Sequence, residues 1–196
     1  IDIDNFKSIN DTMGHDLGDM LLDQVSARML KFGTDAQMFC RLGGDEFACL
    51  LVGKTLDESL AFARGLAGWI ALPYKIFNRE IRIGCSVGLA NADQPRCDDA
   101  QMLFKRADIG LYRAKASMQE RICLFEDYMQ AEFDDRQELE HDLRLAVERD
   151  EFELVYQKQV EVMSLNVHGV EALVRWNHPT RGQISPAAFI PIAEEL

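Results

Sequence analysis

The chain of 196 residues is 47% hydrophobic and 28% charged, which suits one globular domain or one and a part and excludes collagen-like, low-complexity and disordered classes. Its 21 basic and 33 acidic side chains give a formal charge of −12, which opposes binding to a nucleic-acid polymer through bulk charge. No apolar run approaches the roughly 18 residues of a membrane span, and no basic-then-apolar leader opens the chain.

Taken in chain order, Ile1-Asp2-Ile3-Asp4 reads as a strand already under way, so a piece of a longer chain is expected. Gly18–Phe32 carries Met20, Leu21, Val25, Met29 and Leu30 at helical spacing. Ala36–Leu42 and Phe47–Val52 are apolar runs separated by Gly43-Gly44-Asp45-Glu46, which predicts a hairpin. Leu56–Leu72 reads as a helix with Thr55 or Asp57 as its cap and Pro73 as its stop. Tyr74–Phe77 and Glu80–Ala90 flank Asn78-Arg79 as a second hairpin. Asp98–Met118 is a third helix, acidic at its start and with Lys115 near its end, as the helix dipole favours. Arg121–Phe125 closes the series as a strand. The alternation of hairpins and helices predicts an α+β domain, a mostly antiparallel sheet with flanking helices.

Composition then shifts. Residues 127–153 hold eleven acids and three bases, with Met129, Phe133, Leu139, Leu143 and Val147 at roughly helical spacing. They read as a linker helix with a solvated acidic face, or as a dimerising coiled coil whose heptad is broken at Arg136 and Glu140. Of the −12, residues 1–126 carry −3 and the remainder −9. Phe152–Gln157 and Val167–Trp176 are further strand-like runs, and Ala187–Leu196 begins a helix. The five cysteines form no Cys-x-x-Cys pair and four lie in apolar, strand-like stretches. They read as small buried hydrophobes in a reducing cytoplasm, not as zinc or disulfide scaffolds.

Two clusters carry chemistry. In a strand Asp2 and Asp4 share a face, and a hairpin bearing Asp45 and Glu46 beside that strand gathers several carboxylates. Such density asks for a cation, and oxygen ligands with partial hydration suit magnesium. A pair of ions would activate an attacking hydroxyl and steady a leaving pyrophosphate. Gly43 and Gly44 let a nucleotide approach the backbone closely. Downstream, Lys7 offers a point charge for phosphate, while Asn10 and Asp19 match the donors and acceptors of a purine. Lys115 is a further cation. Taken singly, each is an ordinary surface residue or cap; their co-occurrence is what points to a nucleotide site.

Four motifs in order make the chain recognisable: Asp2-Ile3-Asp4-x-Phe6-Lys7-x-Ile9-Asn10-Asp11-x-x-Gly14-His15-x-x-Gly18-Asp19, then Arg41-Leu42-Gly43-Gly44-Asp45-Glu46-Phe47, then Ser86-x-Gly88-x-Ala90, then Ala107-Asp108-x-x-Leu111-Tyr112-x-Ala114-Lys115. Residues 1–126 resemble the GGDEF family of diguanylate cyclases, clipped of that domain's opening helix. The resemblance implies a palm-like, nucleotide-cyclase-type fold. It implies condensation of two GTP to cyclic di-GMP and two pyrophosphates, in a homodimer whose domains each supply half a site. It assigns Asp2, the Ile3 carbonyl and Asp45, with Glu46 assisting, to Mg2+ or Mn2+. Asp45 is also the acceptor of the 3′-hydroxyl proton, and Lys7 stabilises charge at the phosphates. Asn10, His15 and Asp19 bind the nucleotide beside Gly43 and Gly44, and Lys115 touches the triphosphate.

The tail has its own resemblance. Phe152-Glu153-Leu154-Val155-Tyr156-Gln157, Gly169-Val170-Glu171-Ala172-Leu173-Val174-Arg175-Trp176-x-His178-Pro179 and Gly182-x-Ile184-Ser185-Pro186-x-x-Phe189-Ile190-Pro191-x-Ala193-Glu194-Glu195 look like the start of an EAL domain. That family hydrolyses cyclic di-GMP on a (β/α)8 barrel of about 250 residues. Glu171 matches a metal ligand, and Gln157 and Arg175 match substrate contacts. The implied division is a cyclase domain over 1–126, a linker helix over 127–149 and a truncated barrel over 150–196. The implied location is the cytoplasm, with any membrane anchor in segments outside this chain.

Three departures bear on activity. The arginine expected four residues after Lys115 is Gln119, followed by Glu120, with Arg121 as a substitute whose strand face the sequence leaves open. The product-inhibition motif Arg-x-x-Asp reads Thr34-Asp35-Ala36-Gln37, which predicts no feedback there. The proline expected after Gln157 is Lys158. Two functions follow: an active cyclase joined to an EAL phosphodiesterase, or a GTP-binding regulatory domain that controls the phosphodiesterase without turnover. A polymerase palm shares the carboxylates but lacks a basic channel.

Overall fold

A computed structural model describes the chain apart from residues 34–37, 94–96, 98 and 118–119 and the side chain of residue 195. The readings made for Thr34–Gln37 and Gln119 therefore lie outside the described residues. Two compact units appear, Ile1–Gln130 and Ala131–Leu196.

In the first unit, β1 (Asp2–Ile3) is only two residues long yet lies at the centre of a five-stranded sheet. Its neighbours are β3 (Glu46–Leu50) and β6 (Cys85–Leu89), both antiparallel, with Asp2 opposite Glu46 on one side and Ser86 on the other. β2 (Met38–Gly43) pairs antiparallel with β3, and β7 (Ile122–Leu124) runs parallel to β6, giving the order β2-β3-β1-β6-β7. The sheet is mostly antiparallel and flanked by helices, as expected.

Two details differ from the sequence reading. The chain turns out of β1 through Asn5, held in the left-handed region at φ 57°, into a short helix α1 (Phe6–Met13) that buries only Phe6. Phe6, Ile9 and Met13 stand at helical spacing, but over barely two turns, too short a stretch for the period to be read. Residues 80–90 also form two strands rather than one. β4 (Tyr74–Ile76) and β5 (Arg79–Ile81) make a separate ribbon, and the chain joins the main sheet only at Cys85. Ile81, Ile83, Cys85 and Val87 all face the same core, so the alternation runs unbroken across a change of partner.

Helix α2 (His15–Phe32) lays Leu17, Leu21, Leu22, Val25 and Met29 against Ala63, Leu66 and Ile70 of α3 (Leu56–Ile70) and against Ile3, Phe47, Cys85 and Val87 of the sheet. Thr55 starts α3 with a capping box, its side chain accepting from the Glu58 N–H while Glu58 reaches back. Arg28 satisfies the other end, donating to the carbonyls of Trp69 and Ile70 at 3.1 and 3.2 Å. Helix α4 (Ala100–Ala116), capped by Asp99, covers the opposite face. Since Val87 packs with α2 and α3, Gly88 must face α4. There a Cβ would stand 2.0 Å from the Ala107 carbonyl oxygen and 2.2 Å from the Leu111 nitrogen, so helix backbone rests directly on strand backbone.

Helix α5 (Asp127–Ala146) covers most of the segment read as a linker helix. In the second unit its residues Leu139, Leu143 and Ala146 pack with Trp176, Phe189 and Ile192 in a small core. β8 (Phe152–Val160), β9 (Val167–His178) and β10 (Gly182–Ile184) form an antiparallel sheet in the order β10-β9-β8, followed by α6 (Pro186–Glu195). His178 organises the β9–β10 turn: its Nδ1 accepts from the N–H groups of Thr180 and Arg181, which leaves Nε2 to donate to Asp142 at 3.1 Å. The five cysteines are free thiols; Cys85 is buried and its pKa is pushed up to about 12 by that burial.

Candidate active site

Pleat alternation decides what meets at the site. Ile3 belongs to the α2/α3 core, so Asp2 faces α4 together with its cross-strand partners Glu46 and Ser86. Asp4, just past β1, returns to that face, for the Ser86 hydroxyl donates to its Oδ1 at 2.8 Å. The expectation that Asp2 and Asp4 share a face holds.

The Gly43–Glu46 turn abuts the same strand. The Ile3 N–H donates to the Asp45 carbonyl at 3.2 Å, and the Phe47 N–H to that of Ile1 at 2.8 Å. Gly44 holds φ 52°, which a side chain would strain, and Arg41 Nε donates to its carbonyl at 2.8 Å, fixing the turn. The half-buried Asp45 and exposed Glu46 thus stand beside the buried Asp2.

Lys115 reaches in from the last turn of α4, with Nζ 2.6 Å from Asp2 Oδ2. Burial pushes the Asp2 carboxyl above its ordinary value, and the Asp45 and Glu46 charges act in the same direction. The hydrogen bond and charge of Lys115 oppose them. Among the described residues no three His, Cys, Asp or Glu side chains form a closed metal cage. The oxygens that the resemblance assigns to a metal, those of Asp2, the Ile3 carbonyl, Asp45 and Glu46, are all hard donors. That fits magnesium, which takes one or two carboxylates and completes its shell with water and substrate phosphate.

The predicted nucleotide contacts lie on α1 and α2, the helices that follow β1 in the chain. Lys7 is exposed in the first turn of α1, and His15 and Asp19 are exposed in the first turns of α2. Asn10 is half-buried, and its Oδ1 is enclosed yet accepts no hydrogen bond from the described residues. Its amide lies against the bare backbone of Gly18, where a Cβ would stand 1.8 Å from Oδ1. Gly18, Ser86 and Arg41 are parts of the arrangement that residue chemistry alone did not single out. In the sequence Ser86, Gly88 and Gly18 had only their places in the motifs of the resemblance.

In the second unit Gln157 lies directly opposite Glu171, and Glu153 opposite Arg175, so the three expected contacts share one face of the β8–β9 hairpin. Glu171 and Gln157 are exposed and Arg175 is half-buried.

Comparison with known proteins gives the family and the fold. The family model "Diguanylate cyclase, GGDEF domain" matches residues 1–121, and the EAL domain model matches residues 140–196. Over its whole length the chain is 38% identical to the bifunctional diguanylate cyclase/cyclic di-GMP phosphodiesterase MucR of Pseudomonas aeruginosa, of which it spans 28%. It is 35% identical to the cyclic di-GMP phosphodiesterase PdeR of Escherichia coli, of which it spans 29%. Among solved structures, the GGDEF domain of DgcB from Caulobacter crescentus, in complex with c-di-GMP, superposes with a TM-score of 0.57 at 25% identity, covering 63% of this chain and 73% of that one. Its fold is the palm-like one that the sequence resemblance implied. The chain belongs to the GGDEF family of diguanylate cyclase domains, followed by the opening of an EAL domain.

Proposed function

We propose that the first unit is a diguanylate cyclase domain in a cyclic di-GMP signalling protein, condensing two GTP into cyclic di-GMP with release of two pyrophosphates. The observation that best supports this is the meeting of Asp2, the Ile3 backbone and the Asp45–Glu46 turn on one sheet face, with Lys115 across from them. Asp2, the Ile3 carbonyl and Asp45, with Glu46 assisting, would hold magnesium or manganese, which would neutralise phosphate charge and acidify the 3′-hydroxyl. Asp45 takes the 3′-hydroxyl proton as the oxygen attacks the α-phosphorus of the second GTP. Lys7 and Lys115 balance phosphate charge, Asn10 and Asp19 read guanine, and His15, Gly43 and Gly44 line the nucleotide. Each domain carries half of the reacting pair, so turnover needs a homodimer.

The proposed division is a cyclase domain over 1–126, the helix over 127–149 as connector, and barrel strands from residue 150. In that barrel Glu171 is a metal ligand and Gln157 and Arg175 contact cyclic di-GMP. GTP as substrate puts the site in the cytoplasm; among the described residues no helix is long and apolar enough to cross a membrane.

A second reading has its own support. Gln119 stands where the resemblance expects an arginine, Glu120 adds a repelling charge, and the relative PdeR is named for phosphodiesterase activity alone. In that reading the first unit binds GTP and controls the EAL domain without turnover.

The experiment incubates the protein with GTP, with and without magnesium, beside Asp45→Asn, and separates products by chromatography. Cyclic di-GMP from the wild type alone, and only with the divalent ion, is the expected result. A wild type that binds GTP and forms no cyclic di-GMP refutes the cyclase and leaves the regulatory domain.

A further inference from the structure

A second cation faces the carboxylates of β1. Arg121 sits on the bend entering β7, its backbone tied to the sheet because its carbonyl accepts from the Val87 N–H at 2.8 Å. Its guanidinium turns to the α4 face, with Nη1 3.6 Å from Asp4 Oδ1.

Asp4 is itself fixed. Ser86, fully buried, donates to Oδ1. Beside Oδ2 lies the bare backbone of Gly84, where a Cβ would come within 2.6 Å. The carboxylate is thus held in a slot 15% exposed, while the arginine it orients is 47% exposed.

A separation of 3.6 Å is longer than the 2.7–2.9 Å of a committed charge-assisted hydrogen bond. Asp4 aims the guanidinium without engaging all of its five donors. Asp2 and Asp4 therefore each have one cation beside them, Lys115 and Arg121, on one face of one sheet. A triphosphate entering a site that already holds Asp2, Asp4, Asp45 and Glu46 brings several more negative charges and needs cations that can move onto it. A planar guanidinium fork suits phosphate oxygens.

We propose that Arg121, oriented by Asp4, binds the triphosphate of GTP together with Lys115, and so supplies from the β7 entrance a contact that Gln119 lacks the charge to make. The inference rests on the nucleotide-site reading given above.

The test measures equilibrium binding of two probes to the protein in magnesium: GMP, and a GTP analogue with a methylene bridge between the α- and β-phosphates, which releases no pyrophosphate. Arg121→Ala is expected to weaken the triphosphate analogue by about tenfold to a hundredfold, the scale of one charge-assisted contact, and to leave GMP within about twofold. Arg121→Lys should recover part of the loss. Equal loss of both probes in Arg121→Ala would mean a structural role and overturn the proposal, as would undiminished triphosphate affinity. A wild type that binds neither probe refutes the nucleotide site, and this proposal with it. A wild type that binds both, with Arg121→Ala unchanged, refutes this proposal alone.

Discussion

Gly18→Ala separates stability from recognition, because the new methyl meets a flexible side chain and not backbone. The Cβ would stand 1.8 Å from Asn10 Oδ1, 3.0 Å from its Cγ and 3.2 Å from Phe6 Cζ. Ordinary contact begins near 3.5 Å, so the amide must swing away by well over 1 Å, on the order of a rotamer change. In the helix, alanine gains about 0.5–1 kcal/mol over glycine, while crowding costs about 1–3 kcal/mol. The net change is therefore about 0–2.5 kcal/mol, a Tm lowered by no more than about 10 °C for a chain of this size. Binding responds differently. Asn10 is the amide assigned to guanine, and losing one such hydrogen bond costs about 0.5–1.5 kcal/mol, about twofold to tenfold in affinity. Calorimetric melting beside titration with GTP and ATP reads both quantities: a folded variant, weaker GTP binding and a matching loss of preference for GTP over ATP. A folded variant with unchanged GTP affinity and unchanged preference would refute the role given to Asn10 and the reason given for Gly18.

Gly88→Ala should behave in the opposite way, since the atoms 2.0 and 2.2 Å from the new Cβ are helix backbone. α4 must lift from β6, costing more than about 3 kcal/mol; urea unfolding within about 1 kcal/mol of the wild type would contradict the contact. Stability should also fall in alkali. Burial raises Cys85 from 9.0 to about 12 and Tyr74 from 10.0 to about 12, in the latter case against the pull of Arg28. Both keep their protons when folded at pH values where the unfolded chain has lost them, so the unfolded chain binds fewer protons and stability drops as pH rises above about 9. Each group contributes at most about 1.4 kcal/mol per pH unit. Urea midpoints from pH 8 to 11 check this, and a midpoint that climbs over that range would refute it.

The sequence was most legible where one period decides one face. That Asp2 and Asp4 share a face follows from alternation alone, and the glycine turn with its two acids follows from hairpin chemistry. Alternation does not name the partner, however. Ile81 to Val87 reads as one strand because every second residue is buried, although the chain leaves one ribbon and joins another sheet within it. α1 has Phe6, Ile9 and Met13 at helical spacing, but eight residues are too few for that period to stand out from a loop. The acidic segment after residue 126 showed its solvated face plainly, but not that Leu139, Leu143 and Ala146 find Trp176 and Phe189. The face chosen by Arg121 was open in the sequence, because its backbone belongs to the bend and not to the strand.

The brevity of β1 has a kinetic consequence. Its two residues have almost no local structure of their own, and the bonds that complete the site join residues 82 and 113 positions apart. Loop-closure entropy makes such contacts late events in folding. The carboxylates are therefore assembled only after the Gly43–Glu46 hairpin, β6 and α4 are in place. Opening any one of those three elements would disperse the charges before the rest of the domain unfolds. Protection of the Ile3 and Asp4 amides against hydrogen exchange would report the hairpin and β6 sides of the site, since they donate to the Asp45 and Gly84 carbonyls.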